Sequence, residues 1–369
     1  MDGKTIATYV TDIAALLFLL GILNTGTILN NRRKRPFTYA IALTIVIIFA
    51  EAGTILAAGG GSVVRTINII CNILGFALTP LIPLVLLYIV EAPAHRTPKW
   101  LLLPTVINVV AVVLSPFYRL VFHIDAQNQY FRGDYFFIFV LVYIINLFYL
   151  ILGTLHLGKK YNYPISRKIV ALSLFTIVGT SVQLVYPWVY SSWHCVTVAL
   201  FLYFLLLAEF DSSFDTLTGL YNRAAFNKAA KRMVNAKGFS VIVLDINDFK
   251  TINDTYGHEY GDVVIKAVAE IIREAFSQCG TCYRVGGDEF YIICNTTNPN
   301  KLEDLLKKMT SAIIVRREVD SRLPMVSYGF SIYRGGETPD IRQKFEEADH
   351  QMYSFKKRYK DSVAGDDVI

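Results

Sequence analysis

The pattern of apolar positions divides the chain near residue 210. Up to Glu209, long runs of Leu, Ile, Val, Phe and Ala dominate. From Asp211 onward, charged and apolar residues alternate at the short periods of helices and strands packed on a core. A bilayer crossing takes roughly 20 apolar residues. Runs near that length fall at 6–29, 37–58, 67–91, 100–118, 135–157, 168–187 and 192–209. The last two are separated by "YPWVYSSWH", whose proline and aromatics predict a turn at the membrane surface. Residues 1–210 are therefore expected to form a seven-helix transmembrane bundle, and 211–369 a folded domain outside it.

Charge gives this bundle a direction. Lys and Arg gather in "NRRKRP", "HRTPKW" and "GKKYNYPISRK", after the first, third and fifth runs, while the other loops carry only Arg65, Arg119 and Arg132. Cations mark the cytoplasmic side, so the N-terminus is expected outside and the polar half in the cytoplasm. Arg32–Arg35 is then a topology signal, and the net charge of +6 does not argue for nucleic acid. Positive charge follows the long first run instead of preceding it, which does not fit a cleavable signal peptide. Glu51 lies well inside an apolar run and is either functional or close enough to the outer end to reach water. "GGGS" at 59–62 reads as an outward loop. So does "YRLVFHIDAQNQYFRGD", which is aromatic and polar enough to take part in binding a signal.

Composition sharpens this division. Hydrophobic residues make up 53% of the chain and mean hydropathy is +0.41, beyond an ordinary soluble protein. Five cysteines, Cys71 and Cys195 in the spans and Cys279, Cys282 and Cys294 beyond them, make no disulfide framework and suit a reducing compartment. "CGTC" at 279–282 lacks the second pair of ligands a zinc site needs, leaving two incidental thiols.

In the polar half, "FSVIVLDI" at 239–246 is apolar enough for a central strand covered on both faces, with Asp245 at its end. A helix is predicted over 259–277, because Val263, Val264, Ala267, Val268, Ile271, Ile272, Ala275 and Phe276 recur on one face. "YRVGGDEFYIIC" reads as two strands joined by a tight turn, with Gly286 and Gly287 supplying positive φ. A helix over 299–317, a strand over 325–332 and a helix over 340–358 follow. The expected fold is α+β, helices on a mainly antiparallel sheet.

Five ordered blocks then carry a resemblance: "DTLTGLYNR" (215–223), "LDINDFKTINDTYGHEYGD" (244–262), "RVGGDEF" (284–290), "SYGF" (327–330) and "ADHQMYSFKK" (348–357). Together they resemble the GGDEF domain of diguanylate cyclases, whose fold is similar to the palm of nucleotide cyclases and polymerases. The resemblance covers about 211–361. It implies condensation of two GTP to cyclic di-GMP with release of two pyrophosphates, at a site using Mg²⁺ or Mn²⁺, two per active site. It implies that Asp245, the Ile246 carbonyl and Asp288 hold metal, that Asp288 is also the candidate proton acceptor, and that Glu289 assists or holds the turn. Gly286 and Gly287 leave room for a triphosphate.

Asp262 matches the family's guanine-binding acid, with Asn253 beside it; guanine offers N1–H and N2–H₂ to such acceptors and adenine does not. His258 matches a position near the substrate or else caps the following helix. Lys250, Lys356 and Lys360 match phosphate contacts, although Lys360 stands where arginine is more usual. Many relatives bind their own product through an Arg-x-x-Asp. Here those positions read "SQCG" (Ser277–Gly280), so no allosteric product site is expected. One domain holds one GTP, so catalysis implies a homodimer. The resemblance further implies a multi-pass protein of a bacterial-type cell membrane, its seven-span half sensing an unidentified ligand and moving the catalytic domain through a very short connection. Alternatives are a catalytically silent GTP-binding signalling module on a membrane receptor, or a transporter carrying such a domain.

Overall fold

A computed structural model describes residues 3–26, 29–90, 99–186, 189–233, 236–336 and 340–366. It divides into two compact units, Met1–Asp211 and Ser212–Ile369.

The first unit is helical: α1 (Gly3–Thr25), α2 (Asn31–Ala57), α3 (Ser62–Leu78), α4 (Leu81–Val90), α5 (Leu103–Tyr118), α6 (Phe137–Lys160), α7 (Ser166–Val185) and α8 (Ser192–Asp211). Among the described residues, seven helical segments are long and apolar enough to cross a membrane, the third running through α3 and α4. They coincide with the expected runs to within a few residues. Parts of two predicted loops, Pro187–Trp188 in "YPWVYSSWH" and residues 95–98 in "HRTPKW", lie outside the described residues. Small residues let the helices approach. A Cβ on Gly53 would stand 2.7 Å from Cys71 Sγ, and Gly179 likewise lies under Cys195, so both membrane thiols are packing groups.

Two expectations need correction here. The third run is not one continuous helix: it breaks at Thr79–Pro80, because proline cannot donate into the helical ladder. Backbone carbonyls near the break are taken up by asparagines on neighbouring helices. Asn108 Nδ2 donates to Phe76 O at 2.9 Å and Asn146 Nδ2 to Pro80 O at 2.8 Å. The stretch expected as an outward loop is instead a hairpin, β1 (Phe122–Ile124) paired antiparallel with β2 (Tyr130–Arg132). Its aromatics are anchors: Phe122 is fully buried and stacks on Phe76 with ring centroids 5.7 Å apart. At the hairpin turn Asn128, at φ 58°, is buried and donates to Ala57 O.

The second unit is a five-stranded sheet in the order β3-β5-β6-β4-β7, comprising β3 (Tyr221–Asn222), β4 (Phe239–Ile246), β5 (Gly280–Arg284), β6 (Glu289–Cys294) and β7 (Val326–Tyr333). All contacts are antiparallel except β3 with β5. The helices are α9 (Arg223–Arg232), α10 (Phe249–Tyr256), α11 (His258–Phe276), α12 (Pro299–Val319) and α13 (Ile341–Asp366).

Strand alternation sorts the residues between two layers. Ile242, Leu244 and Ile246 of β4, with Phe290 and Ile292 of β6, join the buried faces of α11 and α12. Phe239, Val241 and Val243 point the other way, onto Ala348 and Met352 of α13. Asp245 continues that second set, so the same alternation that buries the strand directs its one carboxylate toward α13.

Candidate active site

The site is built where β4 ends and the β5–β6 hairpin turns. β4 and β6 pair with Asp245 opposite Glu289, and the Ile246 N–H donates to the Asp288 carbonyl at 3.3 Å. Acids 44 positions apart in the chain are thus neighbours across one strand pair. Asp245 and Glu289 share the α13 face of the sheet.

Asp245 is buried, and Lys356 from α13 donates to its Oδ1. Burial, above all, raises the Asp245 carboxyl above its usual range; Lys356 opposes this, while Asp288 and Asp349 add to it. The more open Glu289 is raised by partial burial and then by Asp288, Asp245 and Asp349. Among the described residues, four carboxylates therefore repel one another around the Lys356 ammonium, with the Arg223 guanidinium also acting on Glu289. That imbalance fits a divalent cation, and the donors are all oxygen, as hard Mg²⁺ or Mn²⁺ prefers. Among the described residues no three His, Cys, Asp or Glu side chains are grouped closely enough to hold an ion by themselves. The protein thus offers a half-shell to be completed by phosphate oxygens and water.

The hairpin turn departs from expectation. Neither Gly286 nor Gly287 takes a positive φ. Their value is space instead. A Cβ on Gly286 would stand 2.9 Å from Glu289 Oε2, whereas one on Gly287 would meet nothing within 4 Å. The tip is kept bare on the side where a ligand's phosphates can approach the backbone.

Arg284, quoted within its block but given no role from the sequence, organises this turn. Its Nη2 and Nε donate to the Gly287 carbonyl at 2.8 and 3.1 Å, and its Nη1 donates to both oxygens of Asp215 at 3.0 and 3.2 Å. Asp215 Oδ1 also accepts from the Thr218 N–H and hydroxyl, at 2.9 and 2.7 Å. The "DTLTG" block is thus a brace behind the signature turn. Burial pulls the Asp215 carboxyl upward, but Thr218 and Arg284 outweigh it and hold it below the usual carboxylate range. A depressed carboxyl contributes stability above its unfolded pKa and loses it only as pH falls through the lower folded value. The brace is therefore expected to persist at pH values where ordinary aspartates protonate. Arg284→Met should leave the domain folded but lower turnover by about 10- to 100-fold, as loss of such outer support does. Parallel circular dichroism and rate measurements check this.

The remaining candidates divide into two groups. Asn253 sits within α10 and lies against Gly261 of α11, where any Cβ would collide with its Oδ1. That buried oxygen has no hydrogen-bond partner among the described residues. Asp262 is the next residue and is exposed. The α10–α11 corner thus gathers two acceptors, a buried amide oxygen without a partner among the described residues and an exposed carboxylate. The corner turns at Gly257, whose φ of 83° favours glycine. Gly257 is also the N-cap of α11, with no side-chain capping bond, so the capping alternative for His258 gives way to an exposed first helical residue. Lys250 is exposed in the first turn of α10, beside the end of β4. The Lys360 side chain lies outside the described residues. Cys282 and Cys294 are buried, and Cys279 Sγ lies 3.8 Å from Cys294 Sγ.

Residues 212–362 match the family model described as "Diguanylate cyclase, GGDEF domain". Diguanylate cyclase DgcS of Shewanella oneidensis is 31% identical over 216 residues, spanning 54% of this chain and 70% of that one. Diguanylate cyclase VdcA of Vibrio cholerae is 38% identical over 111 residues, 30% of this chain and 31% of its own length. The crystal structure of the GGDEF domain of DgcB from Caulobacter crescentus, in complex with c-di-GMP, is 30% identical, covers 40% of this chain and 91% of that one, and superposes with a TM-score of 0.36. With a relative above 30% identity matched over more than two thirds of its length, and an unbroken family match across the second unit, the chain belongs to the GGDEF-domain family of diguanylate cyclases.

Proposed function

We propose that the protein is a membrane-bound diguanylate cyclase that condenses two GTP into cyclic di-GMP and two pyrophosphates. The observation that carries this reading is the meeting of Asp245, Asp288 and Glu289 at one sheet end, under a helix that reaches in with Lys356.

Asp245, the Ile246 carbonyl and Asp288 would hold two divalent ions against the triphosphate. When bound, such ions acidify the attacking 3′-hydroxyl and stabilise the leaving pyrophosphate. Asp288 accepts the hydroxyl proton, and Glu289 supports the turn and the local negative field. Lys250 and Lys356 neutralise phosphate charge, with Lys360 a further contact. Lys356, which rests on Asp245, would be free to contact phosphate if that carboxylate held a cation instead. The bare backbone at Gly286 and Gly287 admits the phosphates. The acceptors at Asn253 and Asp262 select guanine, since a buried oxygen left without a donor costs about 1–3 kcal/mol. His258, at the same corner, lies at the rim of the base site.

Each domain supplies one GTP, so two copies must face each other, and orientation of the pair replaces a rare encounter. The seven apolar segments would place the chain in a cell membrane, N-terminus outside and GGDEF domain cytoplasmic. α8 ends at Asp211 and the family match begins at 212, so a shift of α8 passes to the catalytic domain without a stalk. Asp211 is itself held by Arg33 of α2 at 2.5 Å.

The purified full chain in lipid nanodiscs, given GTP and Mg²⁺, should yield cyclic di-GMP by mass spectrometry and nothing from ATP. GTP binding without product would favour a silent signalling module. Feedback at Ser277–Gly280 is not expected: a Cβ on Gly280 would stand 2.8 Å from Cys294 Sγ and 2.9 Å from Ile293 O, leaving no room for an acidic side chain. Added cyclic di-GMP should leave the initial rate unchanged. Early shutdown in proportion to product would contradict this.

A further inference from the structure

Inside the helical bundle, the acid of the second span is satisfied by its neighbours. Glu51 accepts from Tyr9 Oη and from Gln183 Nε2, each at 2.7 Å. A cleft between α7 and α8 differs, because it is open and carries its charge at one end only.

Two helical stripes wall this cleft. Lys168, Ala171, Leu172 and Phe175 follow at i, i+3, i+4 and i+7 on α7. Leu202, Leu205, Leu206 and Glu209 repeat the spacing on α8. The two helices run antiparallel: Lys168 Nζ donates to Glu209 near one end, and Gly179 lies under Cys195 near the other. The first position of one stripe therefore meets the last of the other, and both charges fall at the end where α8 closes at Asp211. At 1.5 Å per residue, seven positions carry the apolar walls about 10 Å inward from that end. Ala171 is the small side chain of the two stripes, and the cleft has a volume of about 380 Å³, within the range of small-molecule sites.

In helices that span a membrane, such a cleft has a charged mouth at headgroup level and an apolar trough below it. That is the profile of one phospholipid head and the upper part of its chain. The charges narrow the head. One cation and one anion line the cleft, which suits a zwitterion better than a purely anionic group. Their ion pair is open to solvent, 44% at Lys168 and 37% at Glu209, and pairs so exposed are weakly held. A head carrying phosphate and a primary ammonium gives each partner its own counter-charge.

We propose that the α7–α8 cleft seats one lipid of the phosphatidylethanolamine type. Lys168 Nζ donates to its phosphate, its ammonium donates to the Glu209 carboxylate, and an acyl chain lies along Leu172, Phe175, Leu202 and Leu205. This rests on the membrane-spanning reading of α7 and α8 and not on turnover. Recovery of the chain from washed membranes only with detergent tests that reading separately.

The lipid test uses the full chain in detergent, titrated with palmitoyl-oleoyl lipids and followed by native mass spectrometry. Phosphatidylethanolamine should bind saturably, one per protomer. Phosphatidylcholine, whose head has no N–H, and phosphatidylglycerol, whose head has no cation, should each bind about three- to tenfold more weakly, the loss of one charge-assisted hydrogen bond at an exposed site. Glu209→Gln should bring phosphatidylethanolamine down to the phosphatidylcholine level. Lys168→Gln should weaken all three lipids, and so should Ala171→Phe, which fills the cleft. Equal binding of phosphatidylcholine, or equal or tighter binding of phosphatidylglycerol, would overturn the proposal. So would a preference that survives Glu209→Gln, the absence of a saturable adduct, or a dimer of the chain that forms in place of the lipid complex. The wild-type lipid comparison keeps the test decisive if a variant fails to fold.

Discussion

Asp288→Asn is expected to reduce cyclic di-GMP formation by about 10³-fold or more, a loss of about 4 kcal/mol in transition-state stabilisation. The substitution keeps the side chain's size. It also leaves intact the backbone contact between Ile246 N–H and the Asp288 carbonyl, which does not depend on the side chain. Stability should therefore hold or rise slightly, because Asp288 is one of the charges pushing Asp245 and Glu289 upward. Loss of activity with an unchanged or higher unfolding temperature is the signature of a site that stores repulsion until cations arrive. Turnover within about tenfold of wild type would mean that Asp288 stands outside the chemistry.

The second large effect comes from a residue with no chemistry of its own. Gly329 lies on β7 opposite Val243, facing α13, and a Cβ there would collide with the Ala348 carbonyl and the Met352 N–H. Backbone cannot yield as a side-chain tip can, so Gly329→Val should force α13 off the sheet. A cost of about 3 kcal/mol or more is expected from overpacking at such a contact. Because α13 carries Lys356 and Asp349, activity should fall together with stability, unlike the Asp288 variant. Urea unfolding of the full chain alongside product formation separates the two behaviours. A Gly329→Val protein with native stability would show that α13 is not seated as described.

Much of this was legible in the sequence because period and burial coincide. The run 239–246 has a strand's length, and its alternation already places Asp245 opposite Leu244, on the face of Val243. The acids at 245 and 288 were paired through the family resemblance, since a tight hairpin alone does not fix which strand lies beside it. Other features were not legible. Gly286 and Gly287 suggested backbone torsion, but a glycine needed for a bare surface has the same letter as one needed for positive φ. Gly329 in "SYGF" shows a third use, close approach of a helix, which becomes visible only when α13 is in place. The brace from Arg284 to Asp215 joins blocks 69 residues apart and leaves no periodic trace, although an arginine two residues before a glycine turn was a signal that could have been weighed. In the membrane half, hydropathy gave the spans but not the break at Thr79–Pro80, since Asn108 and Asn146 that satisfy nearby carbonyls sit on later helices. The hairpin at 122–132 was hidden because its aromatics resemble interfacial anchors.

The central claim is that acids from two chain segments jointly hold divalent ions against a nucleotide's phosphates. Counting Mn²⁺ bound to the full chain by electron paramagnetic resonance, with a non-reactive GTP analogue present, tests it most directly. Wild-type protein should retain about two ions per protomer, and Asp245→Asn and Asp288→Asn should each lose at least one while still folding. Equal Mn²⁺ occupancy in the wild type and in both variants would contradict the claim.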